Sequence, residues 1–424
     1  MTDLLNIDRD NIWHPFTPLK GQQGHILIEK AKGVYLHKAD GDKILDAVSS
    51  WWVSIHGHGN DEIADAVGHQ VREMEHVIFA GFTHRPAIEL TRNLLSVLPE
   101  NQQKVFFSDN GSTSVEVGIK MAFQFWYNKG IKKEKVIAIE GAYHGDTFGS
   151  MSVGERGGFN IPFEPYLFPV EFIPLPTLTN SEEVISAFEK LVSTGEVACF
   201  IFEPLIQGSA GMRMYPAEVL QKLVHIAKKH EVVCIADEVM TGFGRTGKMF
   251  ATDYIDIAPD IFCLSKGLTG GTLPMGITTA SADIVEAFNT SDIHKTFFHG
   301  HSYTGNPIAC AAANASFKLT RQPEFFENIK RISQRHKLFR KKIDGQQMVK
   351  NSRSLGTVLA IELNLGDTSY MNKSRNALYG FFLERGILMR PLGNIIYVLP
   401  PFIISDEELD LVYSAIEELL KEGI

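Results

Sequence analysis

Two stretches, VVCIADEVMTG at 232–242 and DIFCLSKGLTGG at 260–271, decide how this sequence folds. Each is a short apolar run that stops at a charged side chain, Asp237 in the first and Lys266 in the second, and then gives way to small residues. An uninterrupted apolar run of this length, without polar alternation, fits a strand buried on both faces. KVFFSDNGS at 104–112, KVIAIEGAYHG at 135–145 and ACFIFEPLIQG at 198–208 repeat the plan. After the first of them, Val115, Ile119, Ala122, Phe123 and Trp126 fall on one helical face. Strands of this kind alternating with helices predict an α/β fold, a mostly parallel sheet flanked by helices, with ligands beyond the carboxyl ends of the strands.

From about Gln322 onward the style changes. A basic helical stretch, ENIKRISQRHKLFRKKI at 327–343, leads to the strand-like TVLAIEL at 357–363 and IIYVLPPF at 395–402. A final acidic helix is capped near Ser405, with Asp406, Glu407 and Glu408 in its first turn. This predicts a smaller α+β domain over 316–424. The strand-like HILIEKAKGVYLHKADGDKILD at 25–46 places an N-terminal segment, 1–55, against that domain and leaves 56–315 as the large one.

Composition sets the outer bounds. The 424 residues, 44% hydrophobic and 21% charged, are those of an ordinary globular enzyme of two or three domains, or of one large α/β unit with an appendage. A net charge of −9 argues against nucleic acid and anionic membranes as partners. No apolar h-region opens the chain and no run reaches membrane-spanning length, so a cytoplasmic protein is expected. Cys199, Cys234, Cys263 and Cys310 have no CxxC spacing, which predicts buried, reduced thiols.

The strand ends carry the chemistry. GFGRTG at 242–247 matches a dinucleotide fingerprint, but five residues separate it from the strand VVCIA and no clear helix follows, so that reading fails. The HGH triplets at 56–58 and 299–301 lack a further ligand at recognisable spacing; they read as turns, and no metal is expected. Lys266 and Asp237 at matching strand ends form the pair that pyridoxal phosphate demands: an amine for the Schiff base and a carboxylate to keep the pyridine nitrogen protonated. Gly111 and Ser112, opening the helix after KVFF, offer a phosphate cradle, and Tyr143 offers an aromatic face to the ring.

With these residues in view, EGAYHGDT at 140–147, FEPLIQGSAGM at 202–212, ADEVMTGFGRTG at 236–247, SKGLTGG at 265–271 and TGNPIACAAANAS at 304–316 resemble the class III aminotransferases of pyridoxal phosphate fold type I, over nearly the whole chain. The resemblance implies a homodimer with shared active sites. Lys266 would carry the cofactor, Asp237 would face its ring nitrogen, Tyr143 would stack on it, and Gly111 with Ser112 would hold its phosphate, reached by Ser302 from the other subunit.

Within the family, NIWHPFTP at 11–18, SSWWVSIHGHG at 49–59, HVIFAGFTHRPAIEL at 76–90 and MRPLGNIIYVLPPF at 389–402 are most similar to the branch that serves biotin synthesis. That branch implies a ping-pong conversion of 8-amino-7-oxononanoate to 7,8-diaminononanoate with S-adenosylmethionine as amino donor. Trp51, Trp52, Phe16, Gly300 and Arg390, with Tyr143 and Lys266, would contact substrate, Arg390 through a carboxylate. The branch's WHPYT is here WHPFT, so Phe16 lacks a hydroxyl, and its HGPT is here HGHS. Lysine as donor, another ω-amino acid or diamine aminotransferase, an aminomutase and a non-catalytic regulator stand as the alternatives.

Overall fold

The computed structural model describes residues 2–20, 24–158, 160–366 and 372–423. At its centre is a seven-stranded sheet, whose strands we number β1 (Gln102–Ser108), β2 (Lys135–Ile139), β3 (Glu171–Ile173), β4 (Val197–Phe202), β5 (Val233–Asp237), β6 (Ile261–Leu264) and β7 (Gly276–Ser281). Their order across the sheet is β1-β7-β6-β5-β4-β2-β3. The pairings from β6 through β3 are all parallel, and β7 alone runs antiparallel to both neighbours.

The apolar runs read from sequence are buried on both faces. In β4, β5 and β6 every residue is buried, and alternate residues enter different cores. Cys199, Ile201, Val233, Ile235, Ile261 and Cys263 pack with Val115, Ile119 and Ala122 of helix α1 (Gly111–Asn128). Phe200, Phe202, Cys234, Ala236, Phe262 and Leu264 face the other way, toward Phe188 of Ser181–Val192 and Leu220 and Leu223 of Ala217–Lys229. This period-two division is why the strands show no polar alternation. Gly118 lets α1 approach closely: a Cβ there would lie 3.2 Å from Cys263 Sγ. Each fully buried phenylalanine is worth about 1.5–3 kcal/mol of apolar burial.

The two chain ends meet. Ile28–Lys32, Tyr35–Lys38 and Lys43–Asp46 form an antiparallel meander, and Ile387–Leu388 adds to its Lys43–Asp46 edge in parallel. Val349–Leu355, Val358–Leu363 and Ile395–Val398 make a second antiparallel sheet. The final helix, Asp406–Glu422, begins in a capping box: Ser405 Oγ accepts from the Glu408 N–H at 3.1 Å and the Glu408 carboxylate from the Ser405 N–H at 2.8 Å. The four cysteines are buried and unpaired. Among the described residues no helix is long and apolar enough to cross a membrane.

Candidate active site

Strands β1, β2, β4, β5 and β6 end on a cavity of about 760 Å³. β5 delivers Asp237, β6 delivers Ser265 and Lys266, the turn after β1 delivers Asn110, Gly111 and Ser112, the turn after β2 delivers Tyr143 to Thr147, and β4 delivers Glu203. Residues from both chain ends close it: Pro15, Phe16, Trp51 and Trp52 from one side, Arg390, Leu392 and Tyr397 from the other. A volume within the roughly 300–1,000 Å³ of small-molecule sites, at the carboxyl edge of a parallel sheet, marks this as the default ligand site.

Asp237 is buried, and its carboxylate is held in place. His144 Nδ1 lies 2.6 Å from Oδ2, and the Val239 N–H donates to Oδ1 at 3.1 Å. Glu203 is the second buried acid of the site; it accepts from the backbone N–H of Tyr143 at 3.0 Å and of Gly208 at 2.9 Å. Burial pushes it up to about 7, against the pull of His144. The Lys266 amine stands 5.0 Å over the Trp52 ring. Burial lowers its pKa, opposed by Asp237 and Glu203, which favours the neutral, nucleophilic amine. The Tyr143 hydroxyl donates to Asp146 at 2.9 Å, and burial, then that carboxylate, raise its pKa.

The cradle depends on absent side chains. Asn110 caps α1, so the helix presents its first N–H groups and positive end toward the cavity beside Gly111 and Ser112. A Cβ on Gly145, whose φ is +127°, would fall 2.3 Å from Ser112 Oγ, and one on Gly111 would fall 2.7 Å from Val239 Cγ1. The Ser112 hydroxyl is itself oriented by the Thr147 N–H at 3.0 Å.

The tryptophan pair divides its labour. Trp52 is buried and its indole N–H donates to the Tyr397 hydroxyl at 3.0 Å. Trp51 is 40% exposed; the Arg390 guanidinium lies 4.4 Å over its ring, and Phe16 meets it edge-on at 5.8 Å. Asp46 builds this turn by accepting from the Val48 and Ser50 N–H groups at 3.0 and 2.6 Å and from His58 Nε2 at 2.8 Å. Phe16, Ser50, Trp52 and Lys266 all hold φ between +46° and +67°, a conformation that costs a non-glycine residue about 1–3 kcal/mol and gathers at functional sites.

Nine of the candidate residues thus line one cavity: Phe16, Trp51, Trp52, Gly111, Ser112, Tyr143, Asp237, Lys266 and Arg390. Gly300 and Ser302 do not line it; both are exposed, ahead of the helix Pro307–Thr320. The first HGH triplet is structural: His58 anchors Asp46 and His56 bonds Ser316 at 3.0 Å. In GFGRTG, Arg245 is buried over the Phe402 ring and donates to the Pro400 carbonyl at 2.9 Å, clasping the C-terminal region. Sequence reading assigned no role to His144, Glu203, Asp146 or Tyr397. For Glu203 the available signal was an acid directly after the wholly apolar ACFIF.

Comparison with known proteins agrees with this geometry. The family model described as aminotransferase class-III matches residues 17–420. The adenosylmethionine-8-amino-7-oxononanoate aminotransferase of Synechococcus elongatus is 44% identical over 97% of this chain and 99% of its own. The crystal structure of the enzyme of that name from Methanocaldococcus jannaschii superposes with a TM-score of 0.94 at 36% identity, over 99% of both chains. The omega transaminase of Pseudomonas jessenii in complex with PMP follows at 0.91 and 25%, over 99% of this chain and 98% of its own. With a family match across almost its full length and relatives matched end to end, the chain belongs to the class III aminotransferases.

Proposed function

We propose that this aminotransferase uses pyridoxal phosphate to convert 8-amino-7-oxononanoate to 7,8-diaminononanoate in biotin synthesis, with S-adenosylmethionine as amino donor. The observation that carries the reading is the placing of Lys266 and Asp237 in one cavity with the Arg390–Trp51 stack. Full-length relatives bearing that enzyme's name support it.

The residues present fit the cofactor. The glycine-bounded N-terminus of α1 suits a phosphate, the Tyr143 ring a flat face, and Asp237, fixed by His144, a protonated ring nitrogen. When bound, the cofactor supplies a carbonyl carbon that receives the amino group and a ring that accommodates the electron pair left by a departing α-proton. Lys266 would hold that carbonyl between turnovers, and its neutral amine is placed to take the proton from the donor's α-carbon and, in the second half, to return one to the acceptor's C7. Donor and acceptor use the cavity in turn, as a ping-pong sequence requires.

Arg390 offers a planar fork to the acceptor's carboxylate, and the Trp51 and Trp52 faces suit its aliphatic chain. The same faces attract a sulfonium by roughly 0.5–2 kcal/mol. We further infer a cytoplasmic homodimer in which Gly300 and the Ser302 hydroxyl serve the cavity of the other subunit. The test is purified, cofactor-loaded protein given 8-amino-7-oxononanoate with S-adenosylmethionine, lysine, γ-aminobutyrate or a diamine separately, with product detected by mass. Diaminononanoate with S-adenosylmethionine is expected. Product with lysine alone would reassign the donor, and no product with any donor would defeat the reading.

A further inference from the structure

Three side chains from separate parts of the N-terminal segment converge outside the lining of the catalytic cavity. Asp8 lies on the helix Thr2–Asn11, His14 follows that helix, and His25 precedes the first strand of the meander. His14 Nε2 lies 3.0 Å from Asp8 Oδ1, and His25 Nδ1 contacts Asp8 Oδ2. The imidazole centroids are 3.9 Å apart, and one ligand atom from each of the three residues falls within 4.8 Å of the others. We propose that Asp8, His14 and His25 form a binding site for a divalent first-row transition metal of the zinc, nickel and cobalt class.

The argument is one of donor type and spacing. Two ligands each about 2.0–2.1 Å from a metal, at roughly 90–110° to one another, are about 3–3.4 Å apart, which is the His14–Asp8 separation. Two imidazoles and one carboxylate select zinc-like metals over calcium or magnesium, which prefer oxygen ligands throughout. Three protein ligands leave open positions for water. The side chains are half-buried, so a cation is reachable from solvent yet partly screened from it. The nearest cation in sequence, Arg9, is already paired with Asp10.

The consequence is mechanical. Within this chain Leu4, Ile7, Ile12 and Trp13 are each at least half exposed, so apolar burial holds the segment weakly. His14 adjoins Pro15 and Phe16, which wall the catalytic cavity. A metal bridging Asp8, His14 and His25 would tie the N-terminal helix and the His-Pro-Phe turn to the meander. The proposal does not rest on the substrate assigned to the cavity.

The test uses cofactor-loaded, full-length protein stripped with a chelator and dialysed against micromolar zinc chloride, with bound metal counted by mass spectrometry. One zinc per chain is expected in the native sequence, with the affinity falling about tenfold or more in His14→Ala, His25→Ala and Asp8→Asn separately, since each removes a ligand. Zinc should also slow hydrogen exchange across residues 2–20 in the native chain but not in the variants. Unchanged circular dichroism identifies variants that remain folded, and His69→Ala, on the helix Asp61–Glu73, serves as a control that keeps its zinc. No zinc bound by the native chain, or equal binding by all three variants, would overturn the proposal.

Discussion

His144 Nδ1 lies 2.6 Å from Asp237 Oδ2, with both side chains buried, and this contact joins the turn after β2 to the end of β5. A carboxylate that must face one point of the cavity needs such a partner to hold its orientation. Replacing His144 by Ala leaves the Val239 N–H donating to Asp237. The turnover number should fall by about 10- to 100-fold, the usual scale for losing a group that orients a catalytic one. Steady-state rates and the pH dependence of the cofactor absorbance would check this; a variant unchanged in both would mean Asp237 needs no help from His144.

The Arg390–Trp51 stack predicts a split between substrates. A charge-assisted hydrogen bond is worth about 1.5–3 kcal/mol, so Arg390→Ala should raise the KM for the keto acid by about tenfold to a hundredfold. Trp51→Ala removes the surface under the guanidinium, worth about 0.5–1 kcal/mol at an exposed site, and should cost a few-fold. Separate KM values for donor and acceptor decide it: equal effects on both would argue against a carboxylate-specific role.

Gly145 tests the cradle. Gly145→Ala sets a methyl group 2.3 Å from Ser112 Oγ at a φ of +127°. Cofactor affinity should drop about tenfold or more, alongside a stability loss of about 1–3 kcal/mol. Gly130→Ala is the matched comparison, with φ +71° and open space around it, and should cost only about 1 kcal/mol with cofactor affinity kept. Equilibrium dialysis and thermal melts separate the two.

His336 makes a pH prediction. It is buried, its Nδ1 2.7 Å from the Tyr413 hydroxyl and its Nε2 3.1 Å from the Thr357 carbonyl, and burial lowers its pKa from 6.5 to about 4. Because the unfolded chain binds the proton more readily, this site's contribution is intact above pH 6.5 and is lost as pH falls toward about 4. The loss amounts to about 3 kcal/mol. Urea denaturation from pH 7 downward should therefore give a shallower acid decline for His336→Phe than for the native chain. Parallel declines would rule out His336 as a source of acid lability.

How much of this was legible beforehand follows from the range of the interactions involved. The parallel sheet could be read because β4, β5 and β6 are apolar on both faces, and Asp237 and Lys266 stood out as charges ending such runs. The antiparallel course of β7 could not, since GITTAS has the length and composition of any short strand. Trp51 and Arg390 were each nameable from their motifs, and the N-terminal segment was expected beside the C-terminal domain, yet no local pattern specifies the pairing of Ile387–Leu388 with Lys43–Asp46 that joins the two ends, or the stacking of Arg390 on Trp51. His144 carried no such signal, because its partner lies on another strand. Arg245 sat inside a nucleotide-like motif, and only its burial over Phe402 reveals a clasp.

The central claim is that an amino group passes from S-adenosylmethionine to 8-amino-7-oxononanoate in the cavity built around Lys266. Supplying S-adenosylmethionine labelled with heavy nitrogen in its α-amino group, and weighing the diaminononanoate formed, tests this directly. The account predicts a single heavy nitrogen in the product, and no labelled product with Lys266→Ala. Unlabelled diaminononanoate, or label transferred equally well by the Lys266→Ala variant, would contradict it.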